Sequence, residues 1–187
     1  MKYDIEQLAS AWKGHRVFAE WLVNKVKPTT SVDLGVDYGY SLFCLANPNI
    51  GTVYGIDSFE GDIHAGHHPD AYDTVMSIIN SNGYGNIEII KGFFNDVAGG
   101  WDKPIDILHI DGLHTYEAAM NDYQTWRKFL TPNAVIIMHD TSAFKEVRNV
   151  FDNIDLPKMR FAHSAGLGVL SANSELIAEI NSINWSV

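Results

Sequence analysis

The stretch Ser31-Val32-Asp33-Leu34-Gly35-Val36-Asp37-Tyr38-Gly39-Tyr40-Ser41 decides how the rest of the chain is read. A β-branched and aliphatic run enters a glycine-containing turn, and Leu42-Phe43-Cys44-Leu45-Ala46 follows at helix-compatible spacing. That is the strand–turn–helix order of the first unit of an open α/β sheet. Gly35 and Gly39 carry no Cβ, so the backbone there turns tightly and leaves space beside it. Amides at the start of the next helix suit a carboxylate or a phosphate. Glycines at such turns also serve geometry alone, and the stretch by itself leaves a cofactor site open.

Upstream, residues 5–27 have the pattern of an amphipathic helix ended by Pro28, with Leu8, Trp12, Phe18, Trp21, Leu22 and Val26 on a common side. Downstream, strands are expected at 31–35, 52–57, 86–91, 105–110 and 134–138. Helices are expected between them at 40–46, 72–79, 95–100, 116–129 and 144–151. Leu130-Thr131-Pro132-Asn133 reads as the turn into the fifth strand, and the polar loop 58–70 is long enough to be functional. Segments 159–163 and 167–171 lie too close together for a helical crossover, so they are expected to pair antiparallel at one edge. The whole reads as one domain over 1–187: an N-terminal helix within 1–28, an αβ-alternating layer sandwich over 31–171 and a C-terminal helix within 173–187.

Composition narrows the partners. Hydrophobic residues make up 46% of 187 residues, enough for a real core. Lys and Arg number 13 against 23 Asp and Glu, a net charge of −10 with no basic run, which argues against nucleic acid and anionic membrane surfaces. A small-molecule substrate fits better. The single cysteine, Cys44, excludes an intrachain disulfide. The first residues have no signal-peptide pattern, and no apolar run is long enough to span a bilayer, so a cytoplasmic protein is expected.

In open α/β sheets ligands sit beyond the carboxyl ends of the strands. The polar residues expected there are Asp33 and Asp37, Asp57, Asp111, and the pair His139-Asp140. Asp57 closes the second strand, where a carboxylate can accept both hydroxyls of a ribose; a loop or helix-cap role is the alternative. Asp37 stands where a G-x-G-x-x-G fingerprint has its middle glycine. A carboxylate there repels a dinucleotide phosphate but tolerates a cofactor that bears an ammonium group.

The second cluster joins Asp111-Gly112-Leu113-His114 to His139-Asp140. Carboxylates on neighbouring strand ends with adjacent imidazole offer ligands to a divalent cation. Helix capping by the two aspartates, with the histidines bonded to them, is the alternative. A cation would lower the pKa of a substrate hydroxyl, and His114 or His139 could take its proton; a ligating histidine would not also be the base, which points to His114. Phe93-Phe94 could flank a purine or pack beneath it. His64, His67 and His68 read as part of a substrate loop rather than a zinc cluster.

These residues together resemble a class I S-adenosylmethionine-dependent methyltransferase, and more narrowly the small family of macrocin-type sugar O-methyltransferases and cephalosporin-hydroxylase-like proteins. The resemblance runs from about residue 14 to residue 171. It rests on Val32 to Ser41, on Tyr54-Gly55-Ile56-Asp57-Ser58-Phe59-Glu60-Gly61, on His109-Ile110-Asp111-Gly112-Leu113-His114-Thr115-Tyr116-Glu117 with Asp122 and Trp126, and on Leu130 through Asp140.

The resemblance implies a Rossmann-like three-layer αβα sandwich whose mostly parallel seven-stranded sheet ends in an antiparallel hairpin strand. It implies S-adenosylmethionine as cofactor, with Asp33, Gly35 and Gly39 around its methionine part and Asp57 at its ribose. Tyr38, Ser41, Ser58, Phe93, Phe94 and Asp111 complete the expected cofactor contacts. Asp111, His139 and Asp140 take the metal positions of metal-dependent O-methyltransferases. Many relatives have a second carboxylate where this chain has His139, which leaves Mg²⁺ or Mn²⁺ open. The chain lacks the extra elements that shape the acceptor pocket in sugar methyltransferases, so a partner subunit of a homo-oligomer could help to cover it.

Overall fold

The computed structural model describes residues 2–185; Met1 and residues 186–187, the outermost positions of the two terminal helices expected from sequence, lie outside the described residues. Strands β1 (Thr30–Leu34), β2 (Thr52–Asp57), β3 (Ile87–Lys91), β4 (Ile105–Ile110) and β5 (Leu130–His139) run parallel. With β6 (Lys158–Phe161) and β7 (Leu167–Ser171) they form a seven-stranded sheet of order β3-β2-β1-β4-β5-β7-β6. β7 is antiparallel to both β5 and β6. The hairpin expected from sequence is present, and its second arm docks on β5. Every residue of β7 is buried, whereas Lys158, Met159 and Arg160 of β6 are only partly so, which suits β6 to the edge.

Among the described residues, seven α-helices cover the sheet. Helices α1 (Arg16–Val26), α2 (Tyr40–Leu45), α3 (Ala71–Asn82) and α7 (Ser174–Ser182) pack on one face, with Phe18, Leu22, Leu42, Ile78 and Ile180 in its core. Helices α4 (Phe94–Gly99), α5 (Tyr116–Trp126) and α6 (Lys145–Asn153) pack on the other around Ala98, Trp126 and Val150. The sheet supplies both cores by alternation: Val53, Ile107, Val135 and Ile137 face the first, Tyr54, Ile56, Leu108 and Ile136 the second. Each fully buried aliphatic side chain of this kind contributes roughly 1.5–3 kcal/mol.

Two sequence expectations need correction. The long N-terminal helix is interrupted: a 3₁₀ turn at Ile5–Gln7 and another at Ala11–His15 precede α1. Asp4 and Ser10 each cap a turn, accepting from the amides of Glu6 and Trp12, so the segment re-enters the fold twice before it becomes α-helical. The expected turn at 131–133 lies within β5, where the pairing with β4 shifts register between Ile105 and Ile107. Pro132 and Asn133 are exposed at that irregular start, where a proline removes no ladder bond that matters.

β1 has β2 on one side and β4 on the other. The chain winds away from β1 in opposite directions through these neighbours, and this reversal opens a crevice at their carboxyl ends.

Candidate active site

The crevice is a cavity of about 650 Å³ whose walls are the segments that follow β1, β2, β3, β4 and β5. Its floor depends on Gly35, which has φ +97° and sits directly against β4: a Cβ there would lie 2.0 Å from the Asp111 carbonyl oxygen. Asp57, at the end of β2, ties the neighbouring turns together. Its carboxylate accepts from the amides of Val36 at 2.8 Å, Asp37 at 3.0 Å and Phe59 at 2.7 Å. The carboxylate is thereby held at the cavity wall.

The second cluster stands across the same cavity. Asp111, His139 and Asp140 place one donor atom each within 4.8 Å of one another. His139 Nε2 is 3.2 Å from the carbonyl oxygen of Ser164, which only accepts, so Nε2 bears the proton. In the neutral ring Nδ1 then holds a lone pair, and it lies 3.4 Å from a carboxylate oxygen of Asp111 and 3.4 Å from one of Asp140. This buried nitrogen makes no hydrogen bond. A lone pair and two carboxylates converge, an arrangement that repels itself unless a proton or a cation lies among them. The donor set therefore fits a divalent cation.

His114 flanks this set, with Nε2 2.8 Å from Asp140 and 3.5 Å from Asp111, and the approach is misaligned for a hydrogen bond. Charge dominates here. Burial works against ionisation of Asp111 and Asp140, yet the two histidines hold both carboxyls below their usual range. Burial likewise opposes the imidazolium forms, but the carboxylates push His114 up to about 9 and His139 up to about 10. Phe144 stacks on His114 with ring centres 4.3 Å apart, and His64 from the 58–70 loop lies 5.6 Å away on that ring.

A family model described as a methyltransferase domain matches residues 32–141, the span from β1 to just past Asp140. The chain belongs to the methyltransferase domain family. A protein of Sinorhizobium fredii described as uncharacterized, y4gI, is 29% identical over 199 residues, covering 95% of this chain and 22% of that protein. The chain thus spans about a fifth of that relative's length. Among solved structures, the O-methyltransferase TomG from Streptomyces achromogenes, in complex with SAM, superposes with a TM-score of 0.68 at 16% identity over 92% of each chain. An O-methyltransferase from Bacillus cereus, in complex with SAH, gives 0.66 at 16% identity over 88% of this chain and 82% of that one. At such identities these two establish the shared fold.

Within the methyltransferase domain, Gly35, Asp57, Ser58, Phe93, Phe94, Asp111, His114, His139 and Asp140 all line the cavity. Asp33 and Ser41 do not. Asp33 is fully buried, its Oδ2 accepting from Ser41 Oγ at 2.8 Å and its Oδ1 from His109 Nδ1 at 2.5 Å, so both support the floor from beneath. Tyr38 turns away and donates to Asp70 at 2.8 Å. Gly39 caps α2 at φ +85°, where a Cβ would press on Phe43 and Val75 of the core. The loop histidines do not form a metal site among the described residues: His64 stacks on His114, His67 bonds the Glu60 carbonyl and His68 meets Asp37.

Two contributors were given no site role in the sequence reading. Ala9 to Trp12 form part of the cavity wall, and only the breaks in the N-terminal helix bring them there. Asp122 also lines the cavity while only 6% exposed, and burial pushes its carboxyl up to about 7. The signal for it was present: Ala119, Asp122, Tyr123 and Trp126 form the buried stripe of α5, and an aspartate in such a stripe is out of place unless it faces a cavity.

Proposed function

We propose that this methyltransferase domain moves the methyl group of S-adenosylmethionine to a hydroxyl of a small molecule, assisted by a divalent cation at Asp111, His139 and Asp140. The observation that carries the reading is that Asp57 and this donor set face one cavity. Asp57 would take a ribose hydroxyl through the one lone-pair position, on Oδ1, that its three amide bonds leave free. Phe93 and Phe94, which wall the cavity after β3, would flank the purine. The cavity floor at Gly35 and Asp111 would receive the methionine part.

When bound, the cation would acidify and orient the acceptor hydroxyl. His114 is the base in this scheme. It accepts the hydroxyl proton only once the charge of Asp111 and Asp140 is offset, because those carboxylates otherwise hold it as an imidazolium. The acceptor oxygen then bonds to the methyl carbon as the carbon–sulfur bond breaks, and the sulfonium becomes a neutral thioether. Placement of oxygen, carbon and sulfur in line carries most of the rate.

The lining also bears on the acceptor. Asp37, Asp57, Asp62, Asp111, Asp122 and Asp140 face the cavity, and no Lys or Arg lines it among the described residues. A phosphorylated or otherwise anionic acceptor would meet these aspartates with only the cation and the histidines as counter-charge, so an uncharged or cationic one is favoured. Calorimetry tests the core of the proposal. S-adenosylmethionine is expected to bind the wild type and to lose at least tenfold in affinity on Asp57→Ala. Asp111→Asn and Asp140→Asn are expected to abolish Mn²⁺ binding while the cofactor still binds. Unchanged affinities in these variants reject the assignment.

A further inference from the structure

We infer that the N-terminal 3₁₀ turn Ala11–His15 and the tight turn at 164–166 form a positioning device that fixes the ring of His139 with Nδ1 toward Asp111 and Asp140, through a carbonyl that His15 and His139 share. This rests on the cation reading above and adds to it a structural element that lies outside the donor set.

The shared group is the Ser164 carbonyl, 3.1 Å from His15 Nε2 and 3.2 Å from His139 Nε2. A carbonyl oxygen has two lone pairs and no proton to give, so both rings donate from Nε2. One acceptor thereby sets the tautomer of both. A histidine whose far nitrogen is held in this way is oriented and made a better ligand at the near one.

The carbonyl is held from two sides. On its own strand connection, Ser164 at φ +50°, Ala165 at +65° and Gly166 at +91° lie consecutively in the left-handed region. Two of the three are not glycine, a conformation that costs of order 1–3 kcal/mol each and persists only where surroundings enforce it. Here Ala165 accepts from the amides of Ser142 and Ala143 at 2.8 and 3.0 Å, two and three positions after Asp140. Gly166 fits so closely that a Cβ would come 2.4 Å from the Ser142 nitrogen. The turn is thus clamped to the segment that bears the donor set.

From the other side comes the N-terminal turn. A Cβ on Gly14 would lie 2.1 Å from Ser164 Oγ and 3.2 Å from Ser164 Cβ, so a larger residue requires Ser164 to shift. His15 follows, fully buried, with its ring 4.8 Å from that of His163 and edge-on to His139 at 5.7 Å. Its Nδ1 has no partner. An orphaned buried nitrogen costs about 1–3 kcal/mol, so an apolar residue would pack better there. What the histidine adds is the single Nε2–H on Ser164.

The test uses the whole chain with Co²⁺ as probe and S-adenosylhomocysteine as an internal control. Gly14→Ala should weaken Co²⁺ at least tenfold by displacing Ser164, and the pair Gly14→Ala with Ser164→Gly should restore it to within about threefold, since it removes the obstructing Oγ and keeps the carbonyl. Such losses match those of other ligand-orienting partners. His15→Phe should also weaken Co²⁺ about tenfold, with S-adenosylhomocysteine affinity unchanged in all three. Nitrogen-15 NMR of the ion-free wild type, taken above the pKa of about 10 to which Asp111 and Asp140 raise His139, should show the neutral ring protonated at Nε2 and not at Nδ1. Wild-type Co²⁺ affinity in Gly14→Ala and His15→Phe, or an Nδ1–H neutral tautomer, overturns the device. If the wild type itself shows no Co²⁺ binding sensitive to Asp111→Asn, the cation reading fails, and the NMR result still decides whether Ser164 sets the tautomer. Should Gly14→Ala not fold, His15→Phe and the spectrum decide.

Discussion

Gly35 and Asp111, which directly follow β1 and β4, stand 76 positions apart in sequence, yet a single Cβ on Gly35 would collide with the Asp111 backbone at 2.0 Å for oxygen and 2.7 Å for carbon. The first glycine of the motif therefore sets how closely β1 meets β4, and so where Asp111 stands relative to Asp57. Gly35→Ala adds both a left-handed alanine and a clash with backbone that no rotamer relieves. A loss of at least about 2 kcal/mol is expected. Thermal denaturation should show a fall of roughly 4–8 °C for a chain of this size. An unchanged midpoint would mean that β4 yields easily, and that the glycine is there for some other reason.

Asp122 gives a pH dependence whose sign can be worked out. Burial raises its carboxyl to about 7, against ~3.9 in an unfolded chain. Between these values the folded protein retains a proton that the unfolded chain has lost, so stability declines as pH rises from ~4 to ~7 and is level above. Asp122→Asn removes the slope. The stability of wild type minus that of the variant should drop by at most about 4 kcal/mol across the window, leaving the variant the more stable at pH 8. Urea titrations at several pH values measure it, and a flat difference would show that water or a partner group already solvates the carboxylate.

The positions of the strands and the ends of β2 and β4 could be read from sequence because their signals are local: β-branched runs, a glycine or an acid at the exit, and a helix period between. Asp57, Asp111 and Asp140 were legible for the same reason, since each directly follows such a run. Asp33 was misplaced because its role is decided by His109, 76 positions away, whose Nδ1 occupies it from below. The interrupted N-terminal segment was misread as one helix because its apolar residues keep helical spacing through Gly14, while the two caps that break it are single side chains. Ser164 carried no signal at all, as its contribution is a backbone carbonyl.

Trp12 reads from sequence as a core residue, and it is only 2% exposed, but its indole also has a polar duty. Nε1 donates to His109 Nε2 at 3.1 Å, which places the His109 proton on Nδ1 and aims it at Asp33. Trp12→Phe keeps most of the apolar contact and leaves His109 Nε2 without a donor in a site closed to water. The expected cost is about 1–3 kcal/mol. Chemical denaturation should show it as a lower midpoint with an unchanged slope. A variant as stable as the wild type would show that the contact at 3.1 Å contributes only packing.

His114 separates proton removal from binding within the proposed reaction. It touches both Asp111 and Asp140 and stands in the cavity wall, but His139 completes the donor set without it. His114→Asn should therefore leave S-adenosylmethionine affinity unchanged and Mn²⁺ affinity within a few-fold. Turnover should fall by about 10²–10⁴, the range for loss of a general base. The assay is S-adenosylhomocysteine formation with any hydroxyl compound that the wild type methylates. Raising the pH should recover part of the loss in the variant, because the acceptor then sheds its proton to solvent without help. A variant that turns over at the wild-type rate would remove His114 from the chemistry. One that loses Mn²⁺ instead would make it a fourth ligand, and the proton would have to leave by another route.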